Sequence, residues 1–296
     1  MAEEAKVKLH WLNGSRAQST LFLLEQLEIP YELEIHHRLK TMLAPPELRK
    51  IHPLGKSPVV TVTTPNAAGE EPIVLAETAF ITQYLCDHFP KGPELVPARW
   101  KEGRENRVGG ETEEWMRYQY LLYYIEGSFM FTVVLHFILT VLTYHAGDSS
   151  EILPIMLTMS PPALKGPSVP FLVRPLTTVI ANQIIAMTVF PNMKRHFGML
   201  EQFLATSPGD GAYLCGRTLT GADIMLSYPL IAGRDGAFDG IGKWEKGSFA
   251  ATYPKLHAYT GRLAEEPGWK RSVEKIREIE GDFGILPTPG KAASRI

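Results

Sequence analysis

Ile51-His52-Pro53-Leu54-Gly55-Lys56-Ser57-Pro58-Val59-Val60 leads from a loop into a strand whose first position follows a proline. Proline has no backbone N–H, so here it marks a sheet edge or a deliberate turn. A cis Ser57–Pro58 bond frees the Ser57 backbone to pair with a very short extended peptide, whereas a trans bond makes an ordinary Ser-Pro turn. Upstream, Val7 to Leu12 and Tyr31 to Ile35 are strand-like, and between them Ala17, Leu21, Leu24 and Leu27 recur at helical spacing. His36 to His52, with Pro45-Pro46 inside, reads as loop and irregular helix. Downstream, Val59 to Thr63 and Ile73 to Ala76 flank the turn residues Pro65, Asn66 and Gly69, and a helix follows from about Thr78 to Asp87. The order β-α-β, then β-β-α, predicts a small mixed sheet. A right-handed crossover makes its first pair parallel, and the hairpin adds antiparallel strands.

Phe89-Pro-Lys-Gly-Pro-Glu-Leu-Val-Pro reads as a linker, and beyond it strand signals nearly vanish. Glu111 to about Tyr144 is one apolar and aromatic helical stretch, kinked or split near Gly127-Ser128. After the breakers Ser160-Pro-Pro and Gly166-Pro-Ser-Val-Pro, helical patterns resume at about Thr177 to Ala205, Gly221 to Ala232 and Tyr253 to Glu265. The expected units are an α/β domain over 5–90, a linker over 91–103, an all-helical domain over 104–285 and a polar, frayed tail over 286–296. A Pro/Gly-rich insert is expected at about 145–178.

The chain has 296 residues, 45% hydrophobic and 21% charged, in keeping with two globular domains. Lys+Arg number 30 against 32 Asp+Glu, so no basic footprint calls for nucleic acid, and a bound anion has to be held by a local pocket. Two cysteines, Cys86 and Cys215, form no Cys-x-x-Cys pair and fit a reduced, cytoplasmic setting; the acidic N-terminus shows no signal peptide. Phe129 to Thr143 is apolar but falls short of the ~20 residues of a membrane span, and Val169 to Phe190 carries Arg174, Pro175, Asn182 and Gln183. Both read as core helices, with membrane contact at most peripheral.

Three segments carry residues suited to chemistry. In Leu12-Asn13-Gly14-Ser15-Arg16-Ala17-Gln18, Ser15 and Gln18 fit a capping box; the same hydroxyl at a helix N-terminus also suits a thiolate. Lys56, beside Ser57 and Pro58, is a point charge for a carboxylate or simply solvated surface. In Leu75-Ala76-Glu77-Thr78-Ala79-Phe80-Ile81, an acid beside a hydroxyl at a helix start matches the two charges of an α-amino acid, and equally an ordinary cap.

In order, these segments resemble the thiol, peptide-backbone and γ-glutamyl sites of the glutathione transferases. Thr218-Leu-Thr-Gly-Ala-Asp-Ile224 resembles that family's buried capping box, with Thr220 as N-cap and Asp223 at N3. His10-Trp-Leu-Asn-Gly-Ser-Arg-Ala, Ala44-Pro-Pro-Glu-Leu-Arg-Lys-Ile-His-Pro-Leu-Gly-Lys-Ser-Pro and Tyr124-Ile-Glu-Gly-Ser are similar to yeast-type and bacterial members with Ser-Arg at the first helix. The resemblance implies a thioredoxin-like N-terminal domain and an all-α C-terminal domain. It also implies a homodimer that conjugates glutathione to a small electrophile, in detoxification or fungal secondary-metabolite tailoring. Isomerisation or peroxide reduction at the same site, and a non-catalytic binding module, are the alternatives. Ser15 is the expected thiolate donor with Asn13 its rival. Arg16, His52, Lys56, Ser57, Pro58, Glu77 and Thr78 are expected to hold glutathione, and Trp115, Tyr118 and Tyr123 to line the electrophile pocket. No metal is expected. With no tyrosine or cysteine at the end of the first strand, tyrosine- and cysteine-type mechanisms are disfavoured.

Overall fold

The computed structural model describes residues 5–39, 43–64, 71–144, 174–234 and 237–284. The expected tail at 286–296 lies outside them, as does the insert at about 145–178 apart from Arg174 to Thr178. The strands β1 (Lys6–Leu12), β2 (Tyr31–His36), β3 (Val59–Thr63) and β4 (Ile73–Ala76) form one sheet in the order β2-β1-β3-β4. β1 runs parallel to β2 and antiparallel to β3, with His10 opposite Val59; β3 pairs antiparallel with β4, with Val59 opposite Ala76. Helix α1 (Ala17–Gln26) makes the crossover, the short α2 (Leu48–Ile51) interrupts the loop, and α3 (Thr78–His88) follows β4. This is the small mixed sheet that the sequence pattern predicted and the thioredoxin-like unit that the resemblance implied.

Alternation along β1 sends Val7, Leu9 and Trp11 into a core shared with Leu21, Leu24, Ile81 and Leu85 of the covering helices. Helix α1 is more than amphipathic, because every residue from Ala17 to Leu24 is buried. The helical domain supplies the cover for its other sides.

That domain begins with α4 (Glu113–Tyr124), a π-helical turn (Ile125–Phe129) and α5 (Met130–Tyr144). The break foreseen at Gly127-Ser128 is therefore a π-bulge, which adds a residue without interrupting the rod. Glu113–Leu139 is long and apolar enough to cross a membrane, with mean hydropathy 1.5. Tyr118, Leu121, Leu122, Ile125 and Phe129 on it are buried, but Tyr123, Phe131, Val134 and Phe137 are exposed, so the stretch expected to be a core helix is buried on one side only. Then come α6 (Arg174–Ile184), a second π turn (Ile185–Val189), α7 (Phe190–Ala205), α8 (Gly221–Arg234), α9 (Phe249–Thr252), α10 (Pro254–Glu265) and α11 (Pro267–Glu280). Sequence periodicity stops at Glu265 because Glu266-Pro267-Gly268 reads as a terminator. Proline instead opens α11, since a first-turn residue needs no N–H partner, and Gly281 closes it in the left-handed region at φ 73°.

The interface between the two halves has its own polar pairing. Gln18 Nε2 donates to Ser272 Oγ at 2.9 Å, and the Gly268 N–H donates to Gln26 Oε1 at 3.1 Å. Phe22 packs edge-on against Trp269 with ring centroids 5.8 Å apart. Pro229 inside α8 cannot donate to the carbonyl four residues back; that carbonyl, on Met225, receives the Ser19 hydroxyl of α1 at 3.4 Å.

At the start of α8 the buried Asp223 carboxylate accepts from the Thr220 N–H (2.8 Å), the Thr220 hydroxyl (2.6 Å), the Leu214 N–H (3.2 Å) and the Tyr259 hydroxyl (2.6 Å). The expected capping pair is present, and it also ties in α10 through Tyr259. Burial raises the Asp223 pKa, and the four donors oppose that rise. Asp223→Ala strands several buried donors at about 1–3 kcal/mol each. Urea denaturation is expected to show a loss of about 3 kcal/mol or more, and a loss under about 1 kcal/mol would mean that the donors find other partners.

Candidate functional site

The sheet register brings the three chemistry-bearing segments to one end of the N-terminal domain. β1 ends where β3 begins, and β3 begins where β4 ends, so the loops carrying Ser15, Ser57 and Glu77 are neighbours. The Ser15 and Ser57 hydroxyl oxygens lie 3.3 Å apart. The Ser57–Pro58 peptide bond is cis, and among the described residues neither backbone polar group of Ser57 has a partner.

Ser15 is buried and lies one residue before the N-cap, Arg16. Its hydroxyl donates to the Leu12 carbonyl at 2.7 Å and accepts from the Ala17 N–H at 3.2 Å. The expected Ser15–Gln18 capping box does not form. Gln18 is drawn instead to Ser272, because α11 docks against this face of α1.

Asn13 is held by Arg38 through both its side chain and its backbone. Its Oδ1 accepts from the Arg38 N–H at 2.7 Å, while the Arg38 guanidinium donates to the carbonyls of Asn13 and Gly14 at 3.1 Å each. Nδ2 of Asn13 is left as the donor on offer. Arg38 is a clamp that no sequence motif revealed.

Arg16 does not present a free cation to a ligand. Its guanidinium pairs with Glu126, on the π turn between α4 and α5, so the residue acts as a strut between the two domains. Glu126 was visible in sequence only as part of Tyr124-Ile-Glu-Gly-Ser, and the bulge is what aims it at the N-terminal domain.

At the third segment Glu77 is exposed and has φ 69°, ψ 121°. Such a backbone costs a non-glycine residue of order 1–3 kcal/mol. The Thr78 hydroxyl has no partner and is closed off from solvent, contrary to the expectation that it would meet a carboxylate. The N-terminus of α3 has no side-chain cap, so its first-turn N–H groups are the donors there. Lys56 is exposed, without an ion-pair partner among the described residues. His52 Nδ1 accepts from the Leu54 N–H at 3.4 Å and shapes its own turn.

The three aromatic candidates separate. Tyr118 is 1% exposed and packs in the core against Gly221, so it does not line a pocket. Trp115 lies under the Arg99 guanidinium, 4.6 Å from the ring centroid, and braces the linker. Tyr123 is 70% exposed, one helical turn before Glu126, and remains open to a ligand. Helical periodicity could not separate them, because Trp115 and Tyr118 lie three residues apart on one side of the same helix, and what packs against each side is set by the tertiary structure. Burial pushes the Cys86 thiol up to about 12 and raises Cys215 as well, so neither is a reactive thiolate at neutral pH.

The profile of the glutathione S-transferase N-terminal domain matches residues 15–88, and that of the C-terminal domain matches residues 182–274, together more than half of the chain. The chain belongs to the glutathione transferase superfamily. It is 28% identical over 277 residues to glutathione S-transferase 1 of Saccharomyces cerevisiae, covering 94% of this chain and 98% of the relative. In fold it is similar to a glutathione S-transferase from Actinobacillus pleuropneumoniae, with TM-score 0.54, 24% identity and coverage of 97% and 98% of the two chains. It is also similar to a glutathione transferase homolog from Lodderomyces elongisporus solved with two GSH per subunit, with TM-score 0.55, 19% identity and coverage of 91% and 98%.

Within this transferase fold the strained Glu77 gives a direct test. Glu77→Gly relaxes the backbone and removes the carboxylate. It is expected to raise the urea midpoint. A glycine variant no more stable than the parent would mean that the backbone there is unstrained.

Proposed function

We propose that the protein conjugates the thiolate of glutathione to a small electrophile. The observation that carries this reading is the convergence of Ser15, the unpartnered Ser57 backbone beside cis-Pro58, and the uncapped α3 N-terminus with Glu77. The γ-glutamyl carboxylate meets the first-turn N–H groups of α3, and its ammonium meets Glu77. The cysteinyl backbone pairs with Ser57 and sets the thiol beside Ser15. Lys56 and His52 lie on the loop that faces the remaining carboxylate. The electrophile approaches from the side of Tyr123.

The Ser15 proton is committed to Leu12 before glutathione binds. Turning it to a thiolate exchanges a neutral hydrogen bond, worth about 0.5–1.5 kcal/mol, for a charged one of about 1.5–3 kcal/mol. The net gain is about 1 kcal/mol, or somewhat under one pKa unit for the thiol, which starts near ~8.5. Asn13 Nδ2 and the dipole of α1 supply the rest.

Binding without turnover would favour the binding-module alternative, and turnover of a peroxide or a cis-trans substrate alone would favour peroxidase or isomerase chemistry. We further propose a homodimer, supported by Phe131, Val134 and Phe137 exposed on α5, and a cytoplasmic setting, supported by the two buried free thiols. Ser15→Ala is expected to raise the pKa of bound glutathione, read from thiolate absorbance, by about half to one unit. Glu77→Ala is expected to raise the glutathione KM more than it lowers kcat with an aryl halide. No heat with glutathione in calorimetry, and no competition from an S-alkyl analogue, would sink the proposal. A thiol pKa that moves with Asn13→Ala and not with Ser15→Ala would transfer the donor role to Asn13.

A further inference from the structure

On the parallel pair β1–β2, His10 stands opposite Glu34, and His36 follows Glu34 on the same face two residues on. His10 Nδ1 lies 3.6 Å from Glu34 Oε2, and His36 Nε2 lies 3.4 Å from Glu34 Oε1. Both nitrogens are shut off from solvent and neither makes a hydrogen bond. The side chains of His10 and His36 are 5% and 9% exposed, so these are buried polar atoms that face the Glu34 carboxylate without completing a hydrogen bond to it, an arrangement that calls for a reason.

We infer that His10, Glu34 and His36 form a binding site for a divalent transition-metal ion of the Zn²⁺ type, unconnected with the glutathione chemistry. The three ligand groups lie within 4.8 Å of one another. Tetrahedral zinc, with bonds of about 2.0–2.2 Å, sets its ligand atoms about 3.3–3.6 Å apart. Each imidazole nitrogen already lies at that distance from one oxygen of the carboxylate, His10 from Oε2 and His36 from Oε1, so a turn of the half-exposed Glu34 carboxylate brings a single oxygen to both. Two imidazoles and one carboxylate select zinc-like ions over Mg²⁺ or Ca²⁺, and water takes the fourth position. His10 Nε2 sits 3.3 Å from Thr61 Oγ1 on β3; donating there, it presents the bare Nδ1 to the ion, the outer-sphere arrangement expected of a ligating histidine. Glu34, 44% exposed, opens the way in from solvent. Lys8 Nζ lies 3.6 Å from Glu34 Oε2 and competes with the ion, but it also reaches Glu32 at 3.8 Å and can withdraw to it. An ion here pins the edge strand β2 to β1 just below the loop where the Asn13 N–H meets the His36 carbonyl at 3.3 Å.

No sequence motif signals this site, because its ligands meet only through strand register, and it departs from the expectation that the protein holds no metal. The test uses the untagged full chain, stripped by chelator and kept free of thiols, titrated with zinc chloride in a calorimeter and with Co²⁺ in the visible spectrum. The expected result is one ion per chain at micromolar affinity or tighter, a Co²⁺ spectrum of tetrahedral type, and a Tm raised by zinc. Glu34→Gln and His36→Gln should abolish uptake, Thr61→Val should weaken it about ten- to a hundredfold, and Lys8→Met should strengthen it. Circular dichroism of the metal-free variants checks their folding. If His36→Gln fails to fold, Glu34→Gln, on a half-exposed side chain, decides. No uptake by the parent chain, or uptake unchanged by Glu34→Gln, would overturn the inference.

Discussion

Everything in this molecule turns on α1 being buried on all sides. One face lies on the sheet and the others are covered by α8 and α11, so eight consecutive residues from Ala17 are out of water. At about 1.5–3 kcal/mol for each large apolar side chain, Leu21, Phe22, Leu23 and Leu24 alone contribute a large share of the driving force for burying this helix between the sheet and the helical half. A helix clamped in this way cannot drift, and the loop that precedes it inherits its rigidity. Ser15 is therefore placed by packing on the far side of α1 as much as by β1.

Several polar groups in that interface are paired in ways that tie distant segments together, although Gln18 Oε1 and Thr20 Oγ1 are left without a partner among the described residues. Gln18 reaches Ser272, the carbonyl released by Pro229 is met by Ser19, and Asp223 gathers donors from three segments. Each pairing removes a desolvation penalty that would otherwise count against burial. The Arg16–Glu126 pair works differently. Both side chains keep some exposure, so its strength is modest, and its value lies in setting where the π turn stands relative to the Ser15 loop.

The site itself balances constraint against availability. Leu12 already holds the Ser15 proton, Arg38 holds the Asn13 oxygen, and Glu126 holds the Arg16 charge. Among the described residues, the groups left without a partner include the Ser57 backbone, the first turn of α3, the Asn13 amide nitrogen and the side chains of Glu77 and Lys56. Those groups complement an extended, zwitterionic peptide better than a compact anion. The strain at Glu77 belongs to the same design, since the backbone is turned to expose a carboxylate beside a helix start.

By itself the sequence determined the strands, the order of most elements, the division into an α/β and a helical half, the place of an irregularity near Gly127, and the segments that carry Ser15, Ser57 and Glu77. These are local properties, because alternation, helical spacing and proline act within a few residues. It did not reveal α11, because a Glu-Pro-Gly run stops one helix or starts another according to the surfaces that pack beside it. Nor did it separate the core Tyr118 from the open Tyr123, replace the Ser15–Gln18 box with Gln18–Ser272, aim Glu126 at Arg16, or bring His10, Glu34 and His36 together. Those outcomes depend on which surfaces compete for each side chain, and the competitors lie from a few to some 250 residues away along the chain. Only tertiary packing brings them within reach, so only the folded chain could decide between them.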